Sequence, residues 1–273
     1  MIPNTNPATE RANTAQPDRN AATTVLAGES IEKRYGSVEV LSDVSIEIPA
    51  AAVTALVGPN GTGKTTLLRL LLELESPTSG TVTYEGPQTA RRIGYLPQRP
   101  SFRPGFTVAE TIEFYASLVE TAVDSDRILD RVRLTDARNR PVEALSGGMT
   151  RLLGVGQSIV GSPPVVIFDE PASGLDPTMA NRVFEVADEL AAAGTAVVLT
   201  SHNLSLVSRH ADRVEILSEG TVTELTAPQT LATRYGVADL REAYHAVVTA
   251  DPADHGDGDD ERPRDDPTDG ERQ

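Results

Sequence analysis

The chain has 273 residues, a formal net charge of −16 and a hydrophobic fraction of 39%. That length suits one large α/β domain, or a domain carrying an inserted subdomain, with enough apolar residues for a real core. The absence of cysteine excludes disulfides, zinc-thiolate sites and thiol nucleophiles. No apolar run approaches the roughly 20 residues that cross a bilayer, and the acidity argues against a broad nucleic-acid footprint. Lys33 and Lys64 are the only lysines. Abundant Asp and Glu with almost no lysine is similar to the proteins of salt-accumulating halophiles, where a Debye length of about 3 Å in molar salt screens self-repulsion. An ordinary acidic protein from a high-GC genome is the alternative.

Residues 1–26 are polar, with Pro and Asn, and are expected to be disordered. Their opening, MIPNTNPATERANTAQPDRN, has no apolar h-region, so no secretory signal is expected and the chain should be cytoplasmic, serving any membrane through a partner. The β-rich runs SVEVLSDVSIEI and AVTALVG come next. GPNGTGKT, Gly58 to Thr65, then leads into the helical stretch TTLLRLLLELE. TVTYEG and RIGYLPQ read as strands. Residues 107–160 read as helices without a strand, a helical insertion in a mixed sheet domain. PVVIFDE, TAVVLTS, RVEILSEG and TVTEL are further strands, separated by the helical stretches MANRVFEVADELAAAG and LSLVSRHA. The segment from Asp251 holds a single aliphatic residue, Ala253, and is expected to be a solvated acidic tail.

Three of these strands end in polar clusters. GPNGTGKT matches the phosphate-loop pattern G-x4-G-K-[ST] in the strand–loop–helix context that the pattern needs. Its glycines let backbone N–H groups turn inward around a phosphate, and the following helix N-terminus adds positive potential. Lys64 is placed for the β- and γ-phosphates and Thr65 for Mg²⁺. In VVIFDE, an apolar strand ends in two carboxylates, which is costly unless they meet a cation. Asp169 suits Mg²⁺ through its water shell, and Glu170 suits a general base toward water. His202 stands just past the apolar strand of TAVVLTSHN. Alone it reads as a surface or helix-capping histidine; beside the other two clusters it reads as a γ-phosphate contact, since α/β sheets bind ligands at strand carboxyl ends. His210, His245 and His255 lack such company and read as structural or solvated.

The ordered set GPNGTGKT, LPQ, LSGG, VVIFDE, SGLD and TSHN resembles the ATP-binding subunit of ABC transporters over roughly residues 27–235. The resemblance implies an α/β fold: a phosphate-loop NTPase core, an antiparallel β subdomain and an inserted helical subdomain at about residues 99–160. The domain is expected to span residues 27–250, with an acidic tail over 251–273. The resemblance implies an Mg²⁺-dependent ATPase that binds ATP through Gly58, Pro59, Asn60, Gly61, Thr62, Gly63, Lys64, Thr65 and Thr66. Two such cassettes would sandwich two ATP molecules head to tail, as a homodimer or a heterodimer, beneath an integral membrane permease and peripheral to the cytoplasmic membrane face. Tyr35 aligns with an aromatic that stacks on adenine; a partly buried core tyrosine is the other reading. Gln98 aligns with a glutamine that contacts Mg²⁺ and the attacking water. Asp176 aligns with a loop touching the opposite subunit, or is a helix cap. Ser146, Gly147 and Gly148 align with the signature that meets the other chain's γ-phosphate, where any side chain on the glycines would block the approach. Met149 replaces the usual glutamine, Leu152 and Gln157 stand where arginine is common, and Arg151 comes one position early. These departures resemble cassettes of export systems, and of the copper and nitrous-oxide reductase maturation transporter. A soluble ABC-type ATPase outside transport, for instance in iron–sulfur assembly, is the alternative.

Overall fold

The computed structural model describes residues 23–119 and 122–249. The expectations for residues 1–22 and for the tail after Asp251 lie outside the described residues. The first strand, β1 (Thr24–Tyr35), pairs antiparallel with β2 (Val38–Pro49) on one side and β4 (Ser79–Tyr84) on the other. Residues 24–26 are therefore strand, which corrects the disorder expected up to residue 26. The β1 strand escapes sequence reading because its alternation breaks at Gly28–Glu29–Ser30. Ser30 sits at φ 44°, and the register shifts between Gly28 and Ile31.

The second sheet has six strands in the order β5, β6, β7, β3, β8, β9. These are β3 (Val53–Val57), β5 (Ile93–Leu96), β6 (Val165–Phe168), β7 (Ala196–Thr200), β8 (Arg213–Ser218) and β9 (Thr221–Thr226). All neighbours run parallel except β8 and β9. The central strands are buried on both faces, which explains their unbroken apolar runs. Their period of two splits the core. Val53, Ala55, Val166, Phe168, Val197 and Leu199 face α5 (Pro177–Ala192) and α6 (Leu204–His210). Leu56, Val165, Ile167 and Val198 face the three-stranded sheet and α1 (Lys64–Leu71).

Between β5 and β6 the described residues form α2 (Val108–Ala116), α3 (Ser125–Arg131), two short 3₁₀ turns and α4 (Gly147–Ser158). Side chains cap each helix start: Thr107 in a reciprocal box with Glu110, Asp124 to Arg127, and Ser146 to Met149. Two helices beyond the sequence reading follow β9: α7 (Pro228–Arg234) and α8 (Leu240–Thr249). Leu240 and Ala243 of α8 are buried in the main core.

Candidate functional site

Strand order brings the site together. Gln98 follows β5, Asp169 and Glu170 follow β6, His202 follows β7, and the Gly58–Thr65 loop follows β3. These four strands are consecutive parallel neighbours in one sheet, so their carboxyl ends open on one cleft. A cavity of about 300 Å³ there is lined by Asn60, Gly61, Gly63, Lys64, Thr65 and Thr66 of the loop, with Gln98, Asp169, Glu170 and His202 opposite and Val40 at the edge. The structure thus unites most of the residues singled out in the sequence.

Lys64 is buried, and its Nζ donates to the carbonyls of Gly58 at 2.8 Å and Pro59 at 2.7 Å. The loop closes around the ammonium, which retains one further N–H for an anion. Burial holds its pKa below the ordinary lysine value, while Glu170 and Asp169 pull it back up. Gly63 sits at φ 100° and caps α1 without any side-chain hydrogen bond, unlike α2, α3 and α4. A Cβ on Gly63 would stand 2.9 Å from the Val40 carbonyl oxygen and 2.7 Å from Leu41 Cδ2. The first-turn N–H groups of α1 have no acceptor within the helix and face the loop's hollow. Pro59 and Thr62 turn inward on the loop itself, the Thr62 hydroxyl donating to the Pro59 carbonyl at 3.0 Å. Gly58 backs onto β8 instead, where a Cβ would lie 2.1 Å from the Leu217 carbonyl oxygen.

The carboxylates are held by Thr200, a residue that sequence reading passed over. Its buried hydroxyl donates to Asp169 Oδ1 at 2.9 Å and accepts from the Glu170 N–H at 2.7 Å. Glu170 adopts φ 47°, a left-handed conformation that costs a non-glycine residue about 1 kcal/mol or more. That turn aims its side chain at His202, whose Nε2 is 2.9 Å from Oε1. Oε1 has no hydrogen-bond partner among the described residues, so the His202 ring meets it as a close contact. Burial raises the Glu170 pKa above the ordinary carboxylate range, Asp169 adds to this, and His202 and Lys64 oppose it. The set matches Mg²⁺: the Thr65 hydroxyl, an Asp169 oxygen and the Gln98 amide oxygen are hard donors. They are too few for a complete octahedron and suit an ion that keeps waters and phosphate oxygens.

Arg151 is the second residue underweighted in sequence. It lies on α4, 8% exposed, and its guanidinium donates to the carbonyls of Gln98 at 2.5 Å, Pro97 at 3.3 Å and Ser173 at 3.4 Å. One side chain therefore ties α4 to the loops that follow β5 and β6. Arg91 makes a matching tie at the other end of α4, donating to the carbonyls of Gln157 and Val160 at 3.0 and 3.1 Å.

The remaining candidates stand apart from the cavity wall. Tyr35 is 45% exposed; its hydroxyl bonds the Glu75 carboxylate, and Lys33 Nζ lies 5.0 Å from its ring centroid. Asp176 caps α5, its Oδ1 accepting from Thr178 N and Met179 N at 3.0 Å each. Ser146 caps α4 through Met149 N at 3.3 Å. The two glycines expected to share one role differ. Gly147 is exposed and a Cβ there would meet nothing, whereas a Cβ on Gly148 would lie 2.7 Å from Met179 Cε of α5. Gly148 thus allows close packing against α5 within the chain, a duty beyond the outside approach expected of both glycines. Met149 Sδ receives a weak hydrogen bond from Arg140 at 3.6 Å.

A phosphate loop, paired strand-end carboxylates and a helical insert on this two-sheet frame define the ABC ATPase fold. The family model described as ABC transporter matches residues 41–173. Nod factor export ATP-binding protein I of Ralstonia nicotianae is 32% identical over 235 residues, covering 82% of this chain and 73% of that protein. The lantibiotic transport ATP-binding protein SrtF of Streptococcus pyogenes is 32% identical over 203 residues, covering 72% of this chain and 89% of its own length. A solved structure described as the ATP binding subunit of an ABC transporter superposes with a TM-score of 0.73 at 26% identity, covering 82% of this chain and 99% of that one. The chain belongs to the ABC transporter family.

Proposed function

We propose that this chain is the ATP-binding, ATP-hydrolysing subunit of an ABC exporter, acting as a dimer of cassettes on the cytoplasmic face of a membrane permease. The observation that carries the reading is the convergence of Lys64, Asp169, Glu170, His202 and Gln98 on one cavity. Lys64 and the α1 N–H groups hold the phosphates; Thr65, Asp169 and Gln98 hold Mg²⁺. When bound, Mg²⁺ supplies charge neutralisation across the β- and γ-phosphates. Glu170 accepts a proton from the attacking water, and its left-handed backbone and Thr200 fix its aim. His202 contacts the γ-phosphate and steadies Glu170. Tyr35 offers the ring face not covered by Lys33 to adenine.

Ser146 and Gly147 lie exposed at the start of α4 and do not line this chain's own cavity. That arrangement supports a second chain as the source of the nucleotide they would meet. Export is favoured by the names of the relatives, a Nod factor exporter and a lantibiotic transporter. The decisive variant is Glu170→Gln, which should bind ATP with Mg²⁺, lose turnover about 10²- to 10⁴-fold, and double in mass by light scattering. A monomer under those conditions overturns the head-to-tail dimer. We also attribute the charge of −16 and the near-absence of lysine to a saline cytoplasm. Helicity should fall as salt drops to roughly 0.1 M, where repulsion is less screened. Retention of full helicity there would sink that attribution.

A further inference from the structure

On the far side of His202 lies a second cavity of about 250 Å³, bounded by Gly58, Ser201, His202, Arg241, Tyr244 and His245 with two aliphatic side chains. Among the described residues no carboxylate lines it, in a chain whose net charge is −16. Arg241, Tyr244 and His245 sit on one face of α8, spaced three and four residues apart. The acidic groups at the start of α8 are engaged elsewhere: Glu242 accepts from Ala238 N and Asp239 from Glu242 N, each at 3.0 Å. Ser201 is 3% exposed and lines the same wall; its hydroxyl accepts from Asn203 N at 3.0 Å and keeps its own proton to donate. The adjoining recess shares Ser201, His202 and Arg241 and extends to Glu170 and Ser173. The two recesses therefore adjoin along Ser201, His202 and Arg241, with Glu170 on the wall of the second.

We infer that this cavity is a site for a tetrahedral oxyanion, and that it receives inorganic phosphate leaving the nucleotide cavity past His202. Its polar wall consists of donors: a guanidinium fork, a phenol, imidazoles and a hydroxyl, the set that recognises phosphate oxygens. The inference rests on the hydrolysis reading above.

The test uses the full chain saturated with Mg²⁺ and a non-hydrolysable ATP analogue, so that the phosphate loop is filled. Inorganic phosphate is then titrated and followed by ³¹P line broadening. Wild type should bind phosphate, Arg241→Gln should weaken binding about tenfold or more, and Arg241→Lys, a point charge without the fork, should fall between. Phosphate inhibition of steady-state turnover should weaken by the same factor in Arg241→Gln. Arg241 is exposed, so the fold should survive, and His245→Gln gives an independent, smaller loss. Absence of phosphate binding by the analogue-loaded wild type, or equal binding by Arg241→Gln, overturns the site. Arg241-dependent binding in a chain that cleaves no ATP would instead keep the anion site and overturn the hydrolysis reading.

Discussion

At the scale of single residues, Thr200 organises the acidic pair. It satisfies the Glu170 N–H and one Asp169 oxygen at once, deep enough that water cannot replace it. Thr200→Val keeps the shape and removes both bonds, leaving two buried polar groups unpaired. The expected cost is about 1–3 kcal/mol in a denaturant titration, with turnover falling more than nucleotide affinity. Burial sets a second expectation. The Glu170 pKa lies above the ordinary carboxylate value, and the role of base proposed for it requires the deprotonated form. Turnover should therefore be lost, as pH falls, at a higher pH than an exposed glutamate would give, and a kcat–pH profile checks this. The carboxylates themselves were legible in sequence because an apolar run ending in Asp-Glu is a local pattern. Thr200 was not, because its partners are 31 and 30 residues away and only the pairing of β6 with β7 brings them together.

At the scale of elements, α4 is the joint between sheet and insert. Arg151 at one end and Arg91 at the other fasten it. Arg151→Met should leave ATP binding nearly intact and lower kcat, since the Gln98 loop loses its tether; Arg151→Lys should restore only part, lacking the fork. Comparing the nucleotide Kd with kcat separates this from simple destabilisation. The glycines divide the same way. Gly147→Ala meets open space and should fold normally yet weaken ATP-driven dimerisation, whereas Gly148→Ala should cost stability through Met179. The sequence showed the α4 start as a pair of glycines after a serine. It could not assign them separate duties, because the neighbour that distinguishes them belongs to α5. Helices α7 and α8 were missed for a related reason: they are short and carry polar faces, and their burial depends on a core already built.

At the scale of the whole molecule, the two sheets enclose a misfit. Glu215 on β8 is fully buried, neither of its carboxylate oxygens has a hydrogen-bond partner among the described residues, and burial pushes its pKa up to about 8. The folded state thus holds a proton that the unfolded chain releases near the ordinary value of 4.5. Stability from this group is complete below that value and is lost progressively as pH rises toward about 8. Glu215→Gln, neutral at every pH, should flatten the decline across that window and stabilise the chain at pH 8, as thermal melts over a pH series would show. The parallel order of the large sheet was not legible in the sequence, though every one of its strands was. Order is a property of pairing, and it is order that turns four separate strand ends into one cleft.

The two arginine ties have one more consequence. Both grip main-chain oxygens, and among the described residues no acceptor side chain takes part. The residues that lend those carbonyls are interchangeable as far as the fastening is concerned. Drift at Gln157, Val160, Pro97 or Ser173 leaves it whole, while a change at either arginine undoes it. The fastening of the insert is thus written in two positions and is silent at the others, so a chimera that transplants the insert must carry Arg151 and find Arg91 waiting in its host.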